Sequence, residues 1–151
     1  MTPPRLNLPE YSFKIKPSEG SASIFDPIRK KYIKLTPEEW VRQNFIQYLV
    51  QEKRYPQGRI AVETTIEVNG LKRRCDAVIF DSAGKPFLII ECKAPSVSVS
   101  QKTFDQIARY NLALNVTYLV VTNGIHHFCC KMTSEEKNYT FLKEMPEFLP
   151  E

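Results

Sequence analysis

The segment at positions 87–93, Phe-Leu-Ile-Ile-Glu-Cys-Lys, limits the possible folds of this chain more than any other. It begins as a strand too apolar for a protein surface and ends in two charges. Side chains alternate faces along a strand, so Ile89, Glu91 and Lys93 share one side while Leu88, Ile90 and Cys92 share the other. A buried strand does not end on charges without a reason. A second apolar run lies just upstream and contains Asp76, so the two runs together read D-x₁₄-E-C-K.

The elements around these runs follow from punctuation and period. Thr36 is a good N-cap, Pro37 suits the first helical position and Glu39 falls where a capping-box acid belongs. Trp40, Val41, Phe45, Ile46, Tyr48 and Leu49 then form an apolar face of helical period, which Tyr55-Pro56-Gln57-Gly58 ends. Ile60–Val68 alternates as a strand, Asn69-Gly70 is a two-residue hairpin turn, and residues 71–81 form the return arm. Ser82-Ala83-Gly84-Lys85 turns the chain into 87–93, which Ala94-Pro95 closes, giving an antiparallel meander. Thr103 caps a second helix running to about Leu114. Two more strands, Tyr118–Thr122 and 126–131, flank Asn123-Gly124.

In this order Asp76 shares a face with Val78 and Phe80, with Cys75, Ala77 and Ile79 opposite. With matching register, Asp76 and Glu91 meet. Two carboxylates forced together repel, and one takes up a proton unless a cation compensates. Mg²⁺, or Mn²⁺ in its place, suits such a pair, because magnesium prefers oxygen ligands, keeps several waters and is commonly held by one or two carboxylates. The Cys92 carbonyl offers a third protein oxygen, making Asp76, Glu91 and Cys92 the candidate metal ligands. Lys93, which cannot ligate while protonated, is placed to orient or help deprotonate a water and to stabilise charge on a phosphate. Phosphodiester hydrolysis is the chemistry these parts suit. The plain alternative is an ion pair at a strand end beside a lone turn acid.

Composition bounds the rest. The chain has 151 residues, 42% hydrophobic and 25% charged, and is expected to be one domain over 1–151, with a core at 36–145 and an extended, Pro-punctuated arm at 1–35 that includes short strand-like pieces such as residues 13–16 and 32–35. No apolar stretch approaches the roughly 20 residues of a bilayer span. The start, MTPPRLNLPEY, lacks the features of a secretory signal, so a cytoplasmic location with reduced thiols is expected. Cys75, Cys92, Cys129 and Cys130 lack zinc-site spacing and read as small buried hydrophobes. His126 and His127 are adjacent and point to opposite faces of a strand, so they cannot jointly grip a metal. Residues 1–35 hold seven Lys/Arg against three acids, while the remainder balances at 14 of each. Such an arm, densest at Arg29-Lys30-Lys31-Tyr32, can track phosphates, or can be a solvated face.

Several segments also carry a family resemblance: TPEEWVRQ at 36–43, RRCD at 73–76, IIECKAP at 89–95, QIARYN at 106–111 and VVTNG at 120–124. In this order, over nearly the whole chain, they resemble the N-terminal domain of type I restriction enzyme R proteins, within the PD-(D/E)xK nuclease superfamily. The resemblance implies a restriction-endonuclease-like α/β core, a mixed β-sheet flanked by helices, with Asp76, Glu91 and Lys93 as the catalytic set. It also implies an acid on the first helix and a Gln-x₃-Tyr motif on the second. Glu38 is favoured over Glu39 for the former because it lines up with the Val41/Phe45/Leu49 stripe, and Gln106 and Tyr110 match the latter on one helical face. Glu63 is a lower-ranked acid.

The implied activity is that of a metal-dependent DNA endonuclease. DNA is the expected partner, together with motor or specificity subunits of a restriction system, and a homodimer would supply the two sites that cutting both strands requires. The alternative is a non-catalytic nucleic-acid-binding or assembly module on the same fold. Two departures from the family pattern stand out. No G-x₄-G-K-[ST] phosphate loop occurs, so this chain is not expected to move DNA by itself. Cys75 stands where the superfamily motif has proline.

Overall fold

The N-terminal basic stretch, expected as an extended arm with short strand-like pieces, folds over residues 15–34 into a three-stranded antiparallel sheet. The computed structural model describes residues 3–133 and 138–150, so the predicted domain limits at 1 and 151, and positions 134–137 of the predicted core, lie outside the described residues. Strands β1 (Ile15–Ser18), β2 (Ser21–Asp26) and β3 (Lys31–Lys34) pair in that order, Ile15 with Ile24 and Phe25 with Tyr32. Two turns make this possible. Gly20 takes φ +69°, and the Asp26 carboxylate accepts the Ile28 amide at 2.8 Å while its carbonyl accepts that of Lys30. Both are local signals, an Asx turn before Pro27 among them, that reading by hydrophobic period passed over.

Helix α1 (Pro37–Gln51) begins where its cap predicts, with the Thr36 hydroxyl accepting the Glu39 amide at 3.1 Å. Strands β4 (Ile60–Val68), β5 (Leu71–Phe80) and β6 (Pro86–Cys92) form the predicted meander. Asn69 and Gly70 have φ +52° and +79°, the two positive values that a tight hairpin of this hand requires. Helix α2 (Gln101–Asn111) then carries the chain back, so that β7 (Tyr118–Thr122) runs parallel to β6, as a crossover permits. Strands β8 (His127–Thr133) and β9 (Asn138–Leu142) complete a six-stranded mixed sheet in sequence order.

The sheet is covered on both faces. Val41, Phe45 and Leu49 of α1 pack on Ala77, Ile79, Leu88, Ile90, Cys92 and Val120. Phe104 and Ala108 of α2 pack on Val78, Ile89, Leu119 and Val121 from the other side. The result is the mixed sheet flanked by helices that the resemblance implies. All four cysteines are buried free thiols, and Cys129 and Cys130 sit in opposite core layers. Burial pushes the Cys75 thiol up to about 11.

Some boundaries differ from expectation. Ser100, not Thr103, caps α2, its hydroxyl accepting the Thr103 amide at 3.2 Å. A strand was expected at 126–131 but starts one residue later, and β9 carries no strong alternation to announce it. Among the described residues no helix is long and apolar enough to cross a membrane.

Candidate active site

The β5–β6 ladder stops at Ala77↔Ile90, and Asp76 and Glu91 are the next residues on each strand. There the Asp76 side chain replaces backbone pairing. Its Oδ2 accepts the Cys92 amide at 2.7 Å, which ties the carboxylate to the residue after Glu91. The expected strict alternation fails at this point, because Cys75 lies in the same core layer as Val78 rather than opposite it. The neighbouring strand explains the break. Between Val62↔Ala77 and Thr64↔Cys75, Glu63 takes φ +48°, a left-handed conformation that is uncommon for any residue but glycine. Asp76 is thereby presented at the point where β5 and β6 part, with 39% of its side chain exposed against 14% for Glu91.

Each carboxylate meets an arginine. Arg73, three residues before Asp76, ion-pairs with Glu91, donates from Nε to Asn111 Oδ1 at 3.1 Å and lies over the Tyr110 ring at 4.6 Å. Arg42 of α1 lies 3.8 Å from Asp76 Oδ1 and donates to the Asp76 carbonyl at 3.4 Å. Behind it stands a buried network. Glu39 is 2% exposed and receives Arg42 at 2.6 Å, Arg29 at 2.6 Å and the Gln43 amide at 3.1 Å. Arg29 also pairs with Asp26, and Glu63 lies 3.4 Å from both Arg29 and Arg42. Burial alone would raise the Glu39 pKa, but the hydrogen bonds and charges of Arg42 and Arg29 outweigh it and hold it below the ordinary value.

This network corrects two expectations. Glu38, favoured for its alignment with the inward stripe, is exposed, while Glu39 is buried among the cations. Glu38 lies in the first turn, where burial follows the ion pairs of Glu39 with Arg42 of the same helix and with Arg29 of the preceding segment rather than the helical stripe. Arg29, expected in a phosphate-tracking run, is half-buried in ion pairs with Asp26, Glu39 and Glu63.

The remaining candidates are placed unevenly. Lys93 is half-buried beyond the end of β6, its amide donating to the Thr122 carbonyl at 2.8 Å, and among the described residues no carboxylate pairs with its ammonium. Cys92 turns its side chain into the α1 layer, where burial first and Asp76 second push its thiol pKa up, leaving only its carbonyl as a ligand. Tyr110 is 65% exposed and joined to Glu91 through Arg73. Gln106, one turn earlier, is exposed and makes no contact with the carboxylates. Arg73 and Arg42 are the residues that sequence reasoning missed, although RRCD and WVRQ place an arginine close to each motif.

Among the described residues no three of His, Cys, Asp and Glu are grouped as metal ligands, so the site offers two carboxylates. The profile of the family described as type I restriction enzyme R protein N terminus (HSDR_N) matches residues 37–146, well over half of the chain. No curated protein matches. Among solved structures, a candidate nuclease of the DUF820 group from Anabaena variabilis is similar at 14% identity and a TM-score of 0.46, covering 89% of this chain and 83% of that one.

Proposed function

The chain belongs to the type I restriction enzyme R protein N-terminal family, and from that premise we propose that it is a metal-dependent DNA endonuclease of the PD-(D/E)xK type. The observation that carries this reading is the end of the β5–β6 ladder, where Asp76 and Glu91 emerge side by side on strands tied together by the Asp76–Cys92 hydrogen bond. The donor set fits magnesium or manganese, which take one or two carboxylates and fill the remaining positions with water and phosphate oxygen. Asp76, Glu91 and the Cys92 carbonyl would hold such an ion. When bound, it supplies Lewis-acid polarisation of the phosphodiester and a more acidic water.

The chain's own residues supply the rest. Lys93, free of carboxylate partners among the described residues, orients the attacking water and stabilises charge on the phosphate. Arg42 and Glu39 position Asp76 from α1, which makes Glu39 rather than Glu38 the helix acid linked to the site. Tyr110 and Gln106, on the exposed face of α2, position the DNA strand. Motor or specificity subunits, or a second copy of this chain, would provide targeting and the second cut.

The test is cleavage of supercoiled plasmid with Mg²⁺ or Mn²⁺ against a chelator control. The parent is expected to nick or linearise DNA, with Glu91→Gln and Lys93→Ala slower by about a hundredfold or more. Intact plasmid with both metals, or Lys93→Ala cutting at the parent's rate, would sink the reading. A second reading, a non-catalytic nucleic-acid-binding or assembly module, is favoured by one observation: Arg73 already neutralises Glu91. It predicts salt-sensitive DNA binding that survives Glu91→Ala, with no cleavage by the parent.

A further inference from the structure

The two faces of the β1–β2–β3 sheet differ sharply in chemistry. Ile24 and Asp26 point inward and are buried. By alternation, Lys14, Lys16, Ser23, Phe25, Tyr32 and Lys34 point outward, and the register agrees: Lys16 stands opposite Ser23, Ser23 opposite Lys34, and Phe25 opposite Tyr32. The three lysines are all exposed, as is Tyr32 at 46%. The only acid on these strands, Asp26, faces the other way and is paired with Arg29. A merely solvated face interleaves both signs of charge, and this one carries a single sign.

The aromatic rings are held between the lysines. Phe25 and Tyr32 meet edge to face at 5.4 Å, with the Lys14 ammonium 5.6 Å from the Phe25 ring and the Lys16 ammonium 5.6 Å from the Tyr32 ring. Cations around an exposed ring fit a polyanion whose bases are free to stack, because ammonium groups neutralise phosphates while the ring receives a base. Duplex DNA keeps its bases stacked inside and leaves the ring unused. The sheet is also anchored toward the carboxylates, since Arg29, just after β2, pairs with Glu39, which pairs with Arg42 beside Asp76.

We propose that the outward face of the N-terminal sheet binds single-stranded DNA, with Lys14, Lys16 and Lys34 on phosphates and Tyr32 stacked on a base. The proposal deepens the nuclease reading by naming how substrate is held, and it is tested apart from cleavage. Binding of a labelled oligothymidylate is followed by fluorescence anisotropy in chelator, as a function of salt. K14E/K16E/K34E is expected to bind at least tenfold more weakly, with the log–log salt slope shallower by about 2, and Tyr32→Ala to lose about tenfold.

K14Q/K16Q/K34Q, with an unchanged melting temperature, guards against a folding defect and is expected to weaken binding in the same direction. Parent-like affinity and slope in both triple variants would overturn the proposal. So would tighter binding of a duplex competitor that is indifferent to Tyr32→Ala. If the parent never cuts plasmid yet loses oligothymidylate with the lysines, the nuclease reading fails and this face stands; cutting with lysine-independent binding gives the reverse.

Discussion

Arg73 ion-pairs with Glu91, so the divalent ion proposed for that carboxylate would have to compete with its guanidinium. The arginine is held on two other sides, by Asn111 Oδ1 and the Tyr110 ring, so it can leave Glu91 without leaving α2. A charge-assisted hydrogen bond contributes about 1.5–3 kcal/mol, equivalent to tenfold or more in an equilibrium. Arg73→Met is therefore expected to tighten Mg²⁺ binding about tenfold by titration calorimetry. Unchanged or weaker binding would mean that the two cations do not compete. The same scale explains why Glu39 was passed over for Glu38. Helical phase is a property of neighbours in sequence, whereas the ion pairs that bury Glu39 come from Arg29, ten residues upstream, as well as from Arg42.

At the scale of elements, the meander was readable because each of its features is local: two alternating runs, an Asn-Gly turn and a Gly-containing reversal. Asn123-Gly124 was equally clear as a turn, but what presses on it was not. The N-terminal segment crosses there, with the Asn7 amide donating to the Gly124 carbonyl at 2.8 Å. Gly124 has φ +87°, and a Cβ would stand 2.7 Å from Leu6 Cδ2 and 3.2 Å from Val41 Cγ2. Gly124→Ala is expected to destabilise the protein by about 1–3 kcal/mol, from left-handed strain plus overpacking, read as a lower denaturant midpoint. No shift would show that Leu6 yields freely. The pairing of the N-terminal strand-like pieces into a sheet through β2 was not legible for a related reason: the strands are short, and two of them are exposed along most of their length.

Over the whole molecule, two titratable groups, half-buried His127 and buried Glu39, tie distant segments together, and their pH windows differ. His127 joins β8 to the N-terminal segment, its Nε2–H donating to the Asn7 carbonyl at 2.9 Å while Nδ1 faces the Thr122 hydroxyl at 2.7 Å. Burial, aided by His126, lowers its pKa below the ordinary 6.5. The unfolded chain therefore takes up a proton first as pH falls, so stability is full above that value and declines below it. Glu39, also lowered, stabilises above its ordinary 4.5 and loses that contribution as pH falls further. Denaturant midpoints measured from about pH 8 to about pH 3 should fall in two steps, the upper one absent in His127→Gln. A flat profile down to the carboxylate range would rule out the histidine's part.

Sequence alone determined the order of the core elements from α1 to β8, including the meander, and singled out Asp76, Glu91 and Lys93 as the candidate set, because period, turn chemistry and spacing are written between near neighbours. Tertiary structure alone decided that Asp76 closes a ladder on the Cys92 amide, that Arg73 and Arg42 attend the carboxylates, and that Glu39 rather than Glu38 is the buried acid. It also turned the supposed arm into a sheet with one basic face. The physical reason is that burial and charge pairing depend on which distant segments arrive at a point, and period along the chain does not encode those arrivals.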